Sequence, residues 1–500
     1  MSLKRLATAF LLSVAGLIGA GPDARLADAA KKMDRAAIRA LLAQKADVNA
    51  PQVDGTTALA WAAYHDDMEI VAALVKAGAD VKVANRYGVT PLSLACTNGN
   101  GPIVDLLLKA GADPNTTQPG GESALMIASR TGNLAAVKAL LARGADVKAK
   151  ESRHGQTALM RAAVEGHAVV VEELIEHGAD FRARLDSGFT ALLFAVREGQ
   201  TGVVRSLLKA GADVNDTIKP VQGYGQTKGY QYAREKSPRA GSSALHLAVA
   251  NAHYELAAFL LEAGADPNAM GPGYAPLHNI PSIRKPGGGD NDPAPRGSGA
   301  ISSLDLVKLL AKHGADLNAR LTRRVNFGLT GLNTSGATPF LLAALTADTE
   351  LMRALAALGA DPLLPNKDNA TPLIVAAGLG TRSPGEDAGT ESEVVEAMKL
   401  ALELGNDINA VDNNGETAMH GAAYKNLPAA AQLLIDKGAN IEIWNRKNKR
   451  GWTPLLIAEG YRFGNFKPSP ETAAVIRKAM ADKGLSTVVV PPAPNLTDQN

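Results

Sequence analysis

The 500-residue sequence predicts an all-α repeat solenoid, a curved stack of about ten to twelve helix–turn–helix units carrying projecting hairpin or loop fingers. Three observations carry that expectation. Glycines recur at Gly55, Gly88, Gly121, Gly155 and Gly188, spaced 33, 33, 34 and 33 residues apart, and each opens the same phrase. Each phrase leads into a second apolar stretch closed by Gly-Ala-Asp, at Gly78, Gly111, Gly144, Gly178 and Gly211. Aromatic residues are only 4% of the chain while Ala, Leu and Gly dominate, which suits short helices meeting closely at tight turns. Length alone would imply several domains, but stacked repeats extend one core instead of starting new ones.

The N-terminus reads as an export signal, residues 1–21. Lys4 and Arg5 precede an apolar stretch over residues 6–18, followed by Gly19, Ala20 and Gly21. That stretch falls short of the ~20 residues needed to span a bilayer but fits the apolar region of a signal peptide. Cleavage after Ala20 and cleavage near Ala27-Asp28-Ala29 both stay open, as do an uncleaved tether and an apolar capping helix. The expected location is exported, periplasmic or secreted, with no transmembrane span once the signal is removed.

Within one unit the chemistry is consistent. Compare Gly88-Val-Thr-Pro-Leu-Ser-Leu-Ala with Gly155-Gln-Thr-Ala-Leu-Met-Arg-Ala and Gly188-Phe-Thr-Ala-Leu-Leu-Phe-Ala. Thr90 supplies an N-cap hydroxyl, and Pro91 takes the first helical position, where its missing N–H is no loss. Thr57, Ser123, Thr157, Thr190, Thr338, Thr371, Thr417 and Thr453 take the same cap position. Small residues in the first helix (Ala62-Ala63, Ala162-Ala163) and bulkier ones in the second (Ile70, Val71, Leu74, Val75) should bend the stack and line a concave face with first helices. A 33-residue period of this form resembles the ankyrin repeat, and the resemblance covers roughly residues 22–484. It implies a binding module that engages a protein partner through the concave face and finger tips. By position, residues 22–54 form an N-terminal capping repeat, 55–450 the repeats with their inserts, and 451–484 a C-terminal capping repeat. The Pro-rich stretch 485–500 is expected to be a disordered tail.

Departures from the period are where specific function is expected. Extra residues fall at 217–240 and 320–335, after Gly-Ala-Asp, and at 281–302 and 379–392, between the two helices of a unit. Segment 217–240 carries net charge +4 and segment 320–335 net +3, in a chain that totals +2. Tyr224, Tyr230, Tyr232 and Arg234 in the first finger, with Arg323 and Arg324 in the second, are the expected partner-binding residues, since Tyr and Arg anchor interfaces. Trp61 and Tyr64, on the first-helix face, are secondary candidates, open to the alternative of ordinary contact with the N-terminal cap. Near Gly273 the phrase degrades: Ala275 stands where the capping Thr belongs, and Pro281 is expected to cut the first helix short. The stack is expected to be weak there, a hinge between two arms.

Catalytic and cofactor signatures are missing. There is no H-E-x-x-H, no G-x-S-x-G and no Walker loop, so the sequence predicts neither an enzyme nor a cofactor. His246, His278 and His420 sit at the signature position of the first helix. There the ankyrin resemblance implies a hydrogen bond to adjacent backbone rather than a metal site. The single cysteine, Cys96, lies in a helical pattern and reads as a buried core residue. The near-neutral charge gives no reason to expect nucleic acid. The reading is an exported, monomeric scaffold for a protein partner. The alternative is an envelope receptor for an anionic glycan or small acidic ligand bound by the same basic fingers.

Overall fold

The computed structural model describes residues 23–220, 240–287, 295, 299–325, 327, 330–462 and 468–489. The chain divides into two compact units, Met1–Ala212 and Asp213–Asn500, each, among the described residues, an all-helical stack of antiparallel helix pairs. The break between units falls at Ala212, well before the repeat whose phrase degrades at Gly273.

Among the described residues of the first unit, six pairs follow one another, from Arg25–Lys31 with Arg35–Ala43 to Ala191–Arg197 with Thr201–Lys209. First helices pack on first helices and second on second, so each pair shares its core with the next. Small residues make the first layer: Ala58, Ala62, Ala63, Ala95 and Ala128 are all fully buried. Cys96 lies in this layer, fully buried, and burial pushes its thiol up to about 12, which silences it as a nucleophile. The capping expectation holds in detail for this unit. Thr57, Thr90, Ser123, Thr157 and Thr190 accept the backbone N–H three residues on. Second helices have their own caps: Asp34, Asp67, Asn100 and Asn133 do the same. Gly78 adopts φ +88° at the end of its helix, and Lys45 is held at +55° where Gly is missing from the first pair.

Six further pairs build the described part of the second unit, from Ala244–Ala250 with Tyr254–Glu262 to Pro454–Ala458 with Pro470–Asp482. A short helix, Ile441–Trp444, is inserted before the last. Here Ser243, Thr338, Thr371 and Thr453 accept the N–H three residues on as before, and the pattern changes at Thr417. Thr417 gives its helix no side-chain cap; its hydroxyl meets Nδ1 of His420 at 3.0 Å, and that nitrogen also accepts the Thr417 N–H.

The degraded repeat forms a helix nonetheless. A 3-10 turn, Pro276–Asn279, runs directly into an α-helix, Ile280–Arg284, so Pro281 does not cut the element short. Proline sits at the start of the α segment, where no N–H is required. Backbone stands in for the lost Thr hydroxyl: the Ala275 carbonyl accepts the His278 N–H at 3.0 Å, while Nδ1 of His278 accepts the Ala275 N–H at 3.1 Å, as Nδ1 of His246 and of His420 do with Ser243 and Thr417. The helix end is then pinned by ions. Arg284 donates from Nε to Asp348 at 2.6 Å and from its second terminal nitrogen to Asp348 and Glu350, while Lys285 reaches Glu393 at 2.6 Å. The expected weak point is thus tied by a buried, bidentate ion pair to the repeat that follows.

A ladder the phrase does not advertise joins successive turns. Asn two residues after Gly-Ala-Asp donates to the carbonyl of the next repeat's Gly and accepts the N–H of its Asp. Asn115 does this with Gly144 and Asp146, Asn215 with Gly264 and Asp266, and Asn268 with Gly314 and Asp316. Both polar groups of one amide are satisfied across one repeat junction.

Candidate functional site

Two places bring candidate side chains to the surface, one in each unit. In the first unit Trp61 and Tyr64 come from one face of Ala58–Tyr64, three residues apart, as helical geometry requires. Their rings meet edge-to-face at 5.6 Å, and His65 stacks against Trp61 at 5.9 Å. Indole N–H of Trp61 donates to Gln52 at 2.8 Å, and Lys31 of the first pair lies over the indole ring at 5.2 Å. Trp61 is therefore partly engaged with the N-terminal cap, whereas Tyr64 is 54% exposed. Tyr87, at a turn tip, is 55% exposed and is held by Arg86, whose guanidinium donates to its hydroxyl at 2.7 Å.

Of the finger residues, Tyr224, Tyr230, Tyr232 and Arg234 lie outside the described residues, as do signal residues 1–21. Segment 320–335 lies along neighbouring turns. Leu321, Val325 and Leu332 are buried, and Arg323 gives Nε and a terminal nitrogen to the Pro272 carbonyl at 3.2 and 2.7 Å. Arg320 donates to the carbonyls of Gly336 and Pro365. Arg324 is separated from these and turns into a cleft.

That cleft, about 730 Å³, belongs entirely to the second unit. Three successive turns supply one side through Asp368, Asp412 and Arg450, and the two inserts supply the other through Arg324, Leu332 and Arg382. Glycine makes their approach possible. Gly331 donates its N–H to the Gly380 carbonyl at 2.7 Å; Gly380 sits at φ +90°, and a Cβ on it would come within 2.6 Å of the Leu332 nitrogen.

A buried polar network forms the floor. Tyr424 donates its hydroxyl to Glu416 at 2.7 Å, and the Asn448 amide donates to Glu416 and to the Tyr424 oxygen. Arg462 donates to the Tyr424 carbonyl at 2.6 Å with its guanidinium 5.1 Å from the tyrosine ring. Burial pushes the Glu416 and Asp412 carboxyls above their usual range, lifts the Tyr424 phenol well above its own, and lowers Arg462 to about 10.

The signature histidines are backbone clamps. Nε2 of His246 meets the Tyr274 carbonyl at 2.8 Å, and Nε2 of His278 meets that of Ala319 at 2.9 Å. His420 is buried with Nε2 facing the backbone of Arg446 and Trp452 without a well-formed hydrogen bond. Among the described residues no cluster of three or more His, Cys, Asp or Glu is arranged to hold a metal ion, and no helix is long and apolar enough to cross a membrane.

Comparison with known proteins agrees with this architecture. A family model described as ankyrin repeats in three copies matches residues 26–118, 125–218 and 388–466, and a single ankyrin-repeat model matches 240–272. The chain is 46% identical over 50 residues to a putative ankyrin repeat protein of Fowlpox virus, covering 10% of this chain and 12% of that one. It is 33% identical over 152 residues to protein lin-12 of Caenorhabditis elegans, covering 29% of this chain and 9% of the relative. With neurogenic locus notch homolog protein 1 of Mus musculus the identity is 30% over 223 residues, 44% of this chain and 6% of the relative. The matched region thus spans 12% or less of each of these relatives.

Proposed function

This chain belongs to the ankyrin-repeat family, and from that premise we propose that it is an exported, monomeric scaffold that binds a protein partner. Ankyrin repeats in general mediate protein–protein interaction and are not catalysts. The observation that carries the reading is the half-open aromatic pair of the first unit, where Tyr64 exposes more than half its area beside Trp61, with Tyr87 equally exposed at a turn tip of the same unit. A tyrosine held in place yet exposed offers a large amphipathic contact at low entropic cost, which is the character of interface anchors. The finger 217–240, with its three tyrosines and net +4, would offer a second contact of the same kind. Export rests on Lys4, Arg5 and the apolar stretch that follows them.

The test is affinity capture with mass spectrometry from envelope and secreted fractions. Three baits are compared: the mature chain, its Tyr64→Ala/Tyr87→Ala variant, and a chain with 217–240 shortened to an ordinary turn. A partner held by the mature chain and lost with the double variant is the expected result. A partner that all three baits retain equally would remove the aromatic surface from the proposal, and no captured protein at all would remove the scaffold reading.

A further inference from the structure

By sequence the basic contacts fall on two fingers; the structure gathers one of those residues, Arg324, with others the sequence did not single out around the cleft of the second unit. The polar groups lining it divide sharply into those already satisfied and those that are not. Asp412 accepts the N–H groups of Asn414 and Glu416, both at 2.8 Å, and an amide hydrogen of Asn414. Glu416 accepts from Tyr424 and Asn448, and Asp368 accepts from the Asn333 amide at 3.1 Å. Asn366 accepts the N–H groups of Asp368 and Ala370 and donates to the Asn333 carbonyl. The carboxylates and amides of the wall are therefore engaged with one another inside the turns.

The exposed cations are not. Arg324, Arg382 and Lys449 line the cleft, are exposed, and make no ion pair or side-chain hydrogen bond with any described residue. Arg450 lies over the Trp452 ring at 5.5 Å, which orients its guanidinium without using its N–H donors. With Arg462 beneath, five cationic side chains face three carboxylates, for a net +2. What remains available to a visitor is thus a set of N–H donors carrying positive charge, arriving from three stretches of chain, two of which the Gly331–Gly380 contact holds together. A volume of about 730 Å³ is that of a small-molecule site, within the usual range of ~300–1,000 Å³. Arginine pairs are the preferred partners of carboxylate and phosphate oxygens because the planar guanidinium matches them bidentately.

We propose that this cleft binds a small polyanion, a ligand bearing two or more carboxylate or phosphate groups, with Arg324, Arg382, Lys449 and Arg450 as its donors. The site is independent of the protein-binding surface proposed for the first unit, so each stands or falls alone.

Isothermal titration of the full-length chain tests it, at constant ionic strength, with citrate, pyrophosphate, neutral myo-inositol and cationic spermidine as probes. Saturable one-to-one binding of citrate or pyrophosphate is expected, and which of the two binds tells carboxylate from phosphate. Arg324→Ala/Arg382→Ala should weaken that binding about tenfold or more, since two charge-assisted contacts are lost. Lys76→Ala/Lys82→Ala removes the same charge from the first unit and should leave it unchanged. Both pairs are exposed, so circular dichroism should report an intact fold in each. Equal weakening in the two double variants, binding of spermidine as tight as that of the anions, or no binding of either anion would each overturn the proposal. So would a glutamate-rich decapeptide that binds where citrate and pyrophosphate do not.

Discussion

His246, His278 and His420 share one predicament: each is fully buried, and burial lowers each from its ordinary 6.5 to about 4. They fold as neutral rings, and the neutral ring is what lets a nitrogen accept the N–H at the head of its helix, as in Ala275 to His278. The sign of the pH effect follows. Between about 6.5 and 4 the unfolded chain takes up protons that the folded one refuses, so stability is complete above the upper value and falls as the solution is acidified. Each proton bound only by the unfolded chain tilts stability by about 1.4 kcal/mol per pH unit at most, so each ring should contribute a slope of roughly 1 kcal/mol per pH unit across that window. Urea melts from about pH 8 down to about pH 4.5 should show the decline, and His278→Gln should flatten it while lowering stability at the alkaline end. An unchanged slope in that variant would mean that His278 does not help set the acid limit. The ankyrin resemblance implied the backbone contact of these rings; the reciprocal bond from the N-cap N–H to Nδ1, made alike from Ser243, Ala275 and Thr417, was not part of that reading.

Elements were the most legible level, because each helix is short and carries its own punctuation. Thr or Ser before the first helix, Gly after the second and the small-then-large alternation between them all act locally, and local signals survive in a linear reading. Three features were not local and escaped it. The Asn ladder depends on a neighbour 29 to 51 residues away in sequence, and that separation varies with each insert. Its worth can be measured. Asn268→Ala removes a donor to Gly314 and an acceptor for Asp316, both near the surface, and should cost about 1 kcal/mol. Asn268→Asp keeps the acceptor and should cost less; hydrogen exchange of the Asp316 amide, fast in the first variant and protected in the second, would confirm the geometry. The cleft escaped for the same reason. Its walls are the inserts at 320–335 and 379–392, read separately as a basic finger and a polar loop, and only the glycine contact between Gly331 and Gly380 makes them one site. The helix around Pro281 is a third case: its stabilising partners, Asp348 and Glu393, lie in later repeats.

At the scale of the molecule, two compact units imply two cooperative blocks, since stacked repeats couple most strongly to their immediate neighbours. The chain carries a probe for each. Cys96, the single cysteine, is fully buried in the first unit, so thiol labelling reports the opening of that unit alone. The Arg284–Asp348 pair is confined to the second, with Asp348 1% exposed and also capping its own helix at Leu351. Arg284→Ala leaves that carboxylate buried without its bidentate partner, a loss of about 3 kcal/mol. In urea the variant should therefore lose part of its helical signal at a lower concentration than the parent, while Cys96 stays protected up to the parent's own midpoint. That divergence between circular dichroism and labelling is the signature of separate blocks. Labelling that moves down together with the helical signal would instead make the whole chain one cooperative structure, with the cost of a single buried ion pair felt from one end of the repeat array to the other.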